Sequence, residues 1–107
     1  MTEPKRTRRE LLEQFVTQKP DDAFSRYGLA LEYMNGGDAT NADVQFRELL
    51  QRNSEYVPGY LMYAQLLVKE SRQEEAKSVL TRGVEMAIRK GDGHARSEME
   101  GLLTELG

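Results

Sequence analysis

A chain of 107 residues with no long Ser/Gly/Pro-rich stretch has the size of one folding unit, and 38% hydrophobic with 31% charged residues supply a modest core. The lack of cysteine excludes disulfides, thiolate nucleophiles and most structural zinc sites, and no apolar run approaches the roughly 18 residues of a membrane span. The formal net charge of -3 is uneven: residues 1–9 hold four basic side chains and one acidic, leaving the body at -6, a balance that speaks against general nucleic-acid binding.

The basic start is followed by no apolar h-region, so the sequence reads as a soluble cytoplasmic protein. Met1 and capping-type helices at both ends read as a complete small protein. Residues 7–18 predict a first helix carrying Leu12, Phe15 and Val16, closed by Pro20, with Asp21 or Asp22 capping the next. In that next helix Leu29, Ala30, Tyr33 and Met34 keep helical spacing up to the break "NGGD" at 35–38. Gly36 or Gly37 supplies the left-handed residue that ends it, and Asp38 caps a following helix bearing Val44, Phe46, Leu49 and Leu50.

Sliding the chain against itself by 34 residues lays 27–50 over 61–84. Ala30 then falls on Ala64, Ala42 on Ala76, Tyr33 on Leu67, Phe46 on Leu80, Leu50 on Val84, and the break at 35–38 on Lys69-Glu70-Ser71-Arg72. Each unit is therefore two antiparallel helices. The paired alanines are expected where the helices of a unit touch, since a methyl group permits close approach. In the second unit Ser71 is expected to cap, with Glu74 three residues on completing a capping box. Phe46, Leu49 and Leu50 have counterparts one period upstream in Leu12, Phe15 and Val16, which makes 7–18 the second helix of an incomplete leading repeat. "GDG" at 91–93 breaks the chain again before a last amphipathic helix with Met99, Leu102, Leu103 and Leu106.

Two-helix units at this period resemble the tetratricopeptide repeat (TPR), whose pattern is W-x2-L-G-x2-Y, then A-x3-F, then P. The first unit matches through Leu29, Ala30, Tyr33, Ala42 and Phe46, and departs at Arg26, where an aromatic is expected, and at Ser54, where proline is. The second has Tyr60 in the aromatic place, then Tyr63, Ala64, Leu67, Ala76 and Leu80, and ends on Ile88 in place of proline. The resemblance implies an all-α, right-handed stack of antiparallel helix pairs, an α-solenoid fragment of about six helices in a single domain. Its parts are a half-repeat helix at 7–18, repeats at 23–56 and 57–90, and a capping helix at 94–106.

No catalytic constellation stands out. His94, the sole histidine, has no partner at metal-ligand spacing and reads as an exposed first-turn residue. Asp21-Asp22 and Glu74-Glu75 sit at predicted helix starts, where carboxylates favour the positive end of the dipole. "NGGD" and "GDG" lack the strand and the Gly-Lys-Ser/Thr of phosphate-binding loops. "KRTRRE" at 5–10 is a short basic cluster without interleaved aromatics, the pattern of a solvated helix turn. The expectation is a non-enzyme with no catalytic residue, metal, cofactor or small-molecule substrate.

In the family it resembles, the first helices of successive repeats line a concave groove that holds an extended peptide or a helix. The matching positions are Phe24, Tyr27, Leu31, Met34 and Asn35, then Leu61, Gln65, Val68 and Lys69. The groove so implied is largely apolar, and Tyr27 and Leu31 replace the basic and amide residues with which the family clamps a C-terminal carboxylate. The implied partner is a protein segment, best an amphipathic helix with anchors at i, i+3, i+4 and i+7. The alternative is a structural homo-oligomer whose groove is filled by its own last helix or by a second copy as a homodimer. Neither nucleic acid nor a membrane is the expected partner.

Overall fold

The computed structural model describes residues 5–107 and contains six α-helices: α1 (Arg8–Gln18), α2 (Ala23–Asn35), α3 (Ala39–Arg52), α4 (Val57–Lys69), α5 (Gln73–Lys90) and α6 (Gly93–Leu106), with no strand among the described residues. The described residues divide into two compact units, one running to Arg52 and one from Asn53 to Gly107. In the first, α2 packs against both α1 and α3; in the second, α5 packs against both α4 and α6, and α6 also meets α4. No described helix is long and apolar enough to cross a membrane.

Four of the six helices begin on a capping side chain. Thr7 and Glu10 open α1 with a capping box: the Thr7 hydroxyl accepts from the Glu10 amide at 3.1 Å, and the Glu10 carboxylate accepts from the Thr7 amide at 3.2 Å. Of the two expected caps for α2 the structure selects Asp22, whose carboxylate accepts from the Ser25 amide at 3.3 Å, while Asp21 pairs with Arg52 at 2.8 Å. Asp38 accepts from the backbone amide and side-chain amide of Asn41 at 3.1 and 2.7 Å, satisfying the start of α3. Asp92 does the same for α6 through the Ala95 amide at 3.0 Å.

The ends of α2, α4 and α5 share one scheme. At 36–38 the Gly37 amide donates to the Met34 carbonyl at 3.1 Å and the Asp38 amide reaches back to Tyr33 at 2.9 Å; at 70–72 Ser71 donates to Val68 at 3.0 Å and Arg72 to Leu67 at 2.8 Å. Gly91 to Ile88 and Asp92 to Ala87, at 3.1 and 2.8 Å, repeat it a third time. Gly37 and Gly91 have φ of 80° and 69°, so glycine fills the left-handed position twice. The second of the three corrects the expectation for Ser71. Ser71 itself holds the left-handed conformation, φ 60°, and Arg72 stands at the N-cap of α5 with no side-chain cap bond. Glu74 faces solvent and pairs with Lys77 at 3.2 Å, so no capping box forms. The 34-residue register explains this: Ser71 inherits the backbone role of Gly37, and Arg72 the place of Asp38 without its acceptor.

The cores of both units follow the repeat. Leu29, Ala30, Ala42, Phe46 and Leu49 are buried in the first, and Tyr60, Tyr63, Ala64, Leu67, Ala76 and Leu80 in the second. The four alanines have no exposed surface, as expected of the closest helix approach, while Val44 lies on the solvent side of α3. Gly83 of α5 is the most closely enclosed glycine among the described residues: a Cβ there would lie 2.5 Å from Met99 Sδ on α6 and 2.6 Å from Tyr60 Cβ on α4, so only glycine fits.

Two outcomes follow for stability. Gly37→Ala introduces no clash, so its cost of about 1 kcal/mol is conformational, whereas Ser71→Gly should raise the urea midpoint by the equivalent of about 0.5–1 kcal/mol. Hydrogen bonds from Asn41 hold the Asp38 carboxyl below its ordinary value, and those from Thr7 do the same for Glu10. The unfolded chain therefore binds these protons more readily, and their contribution is complete above the usual carboxylate range and lost as pH falls below about 4. Urea midpoints measured from pH 6 to pH 2.5 should fall less steeply for an Asp38→Asn, Glu10→Gln variant than for the natural chain.

Candidate protein-binding surfaces

In the first unit the packing of α2 between α1 and α3 buries Leu29 and Ala30 and leaves a second stripe, Phe24, Tyr27, Leu31 and Met34, at i, i+3, i+7 and i+10. Phe24 stands 77% exposed at its N-terminal end. Tyr27, Leu31 and Met34 are half-buried, and Asn35 is exposed at the C-terminal end. Burial pushes the Tyr27 hydroxyl above the ordinary phenol value, and it does so more than any other influence at Tyr33, where the Glu13 carboxylate adds to it. The stripe thus offers rings and a thioether at half exposure, with no charge of its own.

In the second unit Leu61 and Val68 are half-buried and Gln65 and Lys69 exposed on α4. Leu61 and Gln65 face α6 across an open cleft of about 310 Å³ whose other wall is Ser97, Glu98, Gly101, Leu102 and Glu105. Val68 and Lys69 do not line it. The alternative of a groove met by the protein's own last helix placed α6 beside this face without assigning Ser97, Glu98, Gly101 or Glu105 to its wall. Glu98 also lies 2.6 Å from His94 Nε2, so the histidine is engaged one helical turn away on the exposed surface of α6.

Arg26 marks where the first unit departs from the repeat pattern. It is buried, donating to Gln45 Oε1 at 2.7 Å and to the Pro20 carbonyl at 3.1 Å, with its Nε unpartnered. Burial works against its charge, and Glu48 and Asp21 favour it. In the second unit the aromatic at this position, Tyr60, is buried too, and its hydroxyl donates to the Ser54 carbonyl at 2.6 Å. Both side chains thus tie the start of a first helix to the segment that precedes it, one through a guanidinium and one through a phenol.

No family model matches the chain. It is 26% identical over 95 residues to a TPR repeat-containing protein of Pseudomonas aeruginosa, covering 89% of this chain and 90% of that one. Among solved structures, a tetratricopeptide repeat domain protein from Salinibacter ruber superposes with a TM-score of 0.75 at 28% identity, over 79% of this chain and 94% of that one. The chain has the tetratricopeptide-repeat (TPR) fold. The type III secretion translocator chaperone SycD of Yersinia enterocolitica shares the fold alone, with a TM-score of 0.84 at 14% identity over 92% of this chain and 68% of that one. On the first helices of this TPR fold, α2 and α4, Phe24 is the one exposed large hydrophobic side chain.

An exposed ring contributes little to folding. Phe24→Ser should change the free energy of unfolding by less than about 0.5 kcal/mol, whereas Leu49→Ala, at a site with no exposed surface, should cost about 2–5 kcal/mol; equilibrium urea unfolding followed by circular dichroism reads both.

Proposed function

We propose that this TPR-fold protein is a small non-catalytic adaptor whose first helices receive a segment of a partner protein. In the first unit the receiving residues are Phe24, Tyr27, Leu31, Met34 and Asn35; in the second they are Leu61, Gln65, Val68 and Lys69. The observation that carries the reading is Phe24, a phenylalanine left 77% exposed on a helix face with three further half-buried apolar side chains. Residues of that kind, large, apolar and partly desolvated, are where interface free energy concentrates. The absence of charge along the α2 stripe fits an amphipathic helix or an apolar peptide better than a charged tail.

A second reading draws support from the second unit. There α6 already flanks Leu61, so part of the α4 face is met by the chain itself, and a second copy would serve as the remaining partner of a homo-oligomer.

The test has two arms. A library of helical peptides selected against the whole chain should yield binders with apolar anchors at i, i+3, i+4 and i+7. Their affinity should fall at least about tenfold on Tyr27→Asp or Leu31→Asp with helix content retained. Binders indifferent to both changes would remove the α2 stripe as a site. Sedimentation equilibrium from micromolar to millimolar chain should show a monomer; a dimer abolished by Leu31→Asp would establish the homo-oligomer in its place.

A further inference from the structure

The two ends of α1 and α5 invite a comparison inside the molecule. Two periods separate Leu11 from Val79, Leu12 from Leu80 and Phe15 from Gly83. On α5 these positions are buried, Val79 at 5% and Leu80 at 0% exposure, because a helix that precedes α5 and a helix that follows it both pack there. Gly83 shows both neighbours at once, with Tyr60 of α4 on one side and Met99 of α6 on the other. On α1 the following helix is present: Leu12 reaches α2, its Cδ2 3.3 Å from where a Cβ on Gly28 would stand. The preceding helix has no counterpart among the described residues, and Leu11 and Phe15 are 42% and 50% exposed. Four residues apart on one helix, they form an exposed apolar face.

The charges around this face define what would fit. Lys5, Arg6, Arg8 and Arg9 crowd the N-terminal end of α1, against which its own acids are Glu10 and Glu13. Glu10 is committed to Thr7, and Glu13 to Arg9 at 3.2 Å. Arg8 pairs with Glu32 at 2.8 Å, yet its side chain remains 74% exposed. It occupies the position of Ala42 and Ala76, so a helix docking here meets a guanidinium where the complete pairs meet a methyl group. A helix docked antiparallel to α1 passes its C-terminal end by these cations and by the positive end of the α1 dipole.

We propose that the Leu11–Phe15 face of α1 docks an amphipathic helix of a partner protein, apolar where it meets those two residues and acidic in its C-terminal turn. The partner helix packs on the exposed side of α1, away from the side on which Leu12 meets α2. This surface is separate from the α2 stripe, and the proposal stands or falls independently of it.

The probe is a fluorescein-labelled, stapled 16-residue helix with leucines at i, i+3, i+4 and i+7 and three glutamates in its last turn, with a counterpart bearing three lysines there. Titrated with the whole chain and read by anisotropy, the acidic peptide should bind at least about tenfold more tightly than the basic one, and more weakly as salt rises. Leu11→Ser with Phe15→Ser should reduce that affinity at least about tenfold at unchanged helix content, and Phe24→Ser should leave it unchanged. Arg9→Glu, on an exposed and separate side chain, should narrow the preference between the peptides. Equal binding of both peptides, no binding of either, or loss on Phe24→Ser but not on Phe15→Ser would overturn the proposal. So would sedimentation equilibrium showing a dimer of the chain alone that Phe15→Ser abolishes, since the occupant would then be a second copy.

Discussion

The structure depends on one backbone constraint, a residue with positive φ at the end of a helix. That single dihedral turns the chain so that an amide two or three residues past the helix reaches back five residues, and the next helix starts at once. It recurs at Gly37, Ser71 and Gly91, with closing hydrogen bonds of 2.9, 2.8 and 2.8 Å. Because each turn is so short, neighbouring helices must lie against each other. Alanine at 30, 42, 64 and 76 then lets them approach until no surface is left at those positions. Burial of Phe46, Leu49, Leu67 and Leu80 follows from that approach, since side chains flanking a methyl contact have nowhere else to go.

Much of this was legible because the repeat shows each position twice. A glycine pair is weak information alone, yet a break at the same register in both halves fixes its role, and the capping of α3 by Asp38 follows from ordinary helix chemistry. Ser71 shows the limit. A serine before a helix with glutamate three residues on has the composition of a capping box, and composition is silent on φ. Tertiary demand for a left-handed residue at that point overrode the local preference of serine. Arg26 is a second case: it was legible as a departure from pattern, but its burial became apparent only through Gln45 and the Pro20 carbonyl, whose approach no linear spacing encodes.

The surfaces were legible to different degrees. Phe24, Tyr27, Leu31 and Met34 were implied by the resemblance to the repeat family, and the structure sets them at helical spacing along α2. The cleft between α4 and α6 depends on α5 running to Lys90, four residues longer than α3, which sets where α6 returns against α4. A repeat comparison that assumes equal helix lengths misses that displacement. Gly83 is where the longer helix and the returning one are reconciled, by removing a side chain rather than moving a backbone.

The meeting of Gly83 with Met99 also sets the chemical durability of the second unit. Met99 has no exposed surface, and its sulfur occupies space that a Cβ on Gly83 would need. A sulfoxide oxygen would find no more room there than a methyl group, and it would arrive with a dipole to hydrate. While folded, the thioether is shielded, and an oxidant meets the half-buried Met34, Met62 and Met86 before it. Once α6 has lifted away and Met99 has been oxidised, the helix cannot return to its seat. Oxidation would thus record a transient opening of the last helix as a lasting change in the protein.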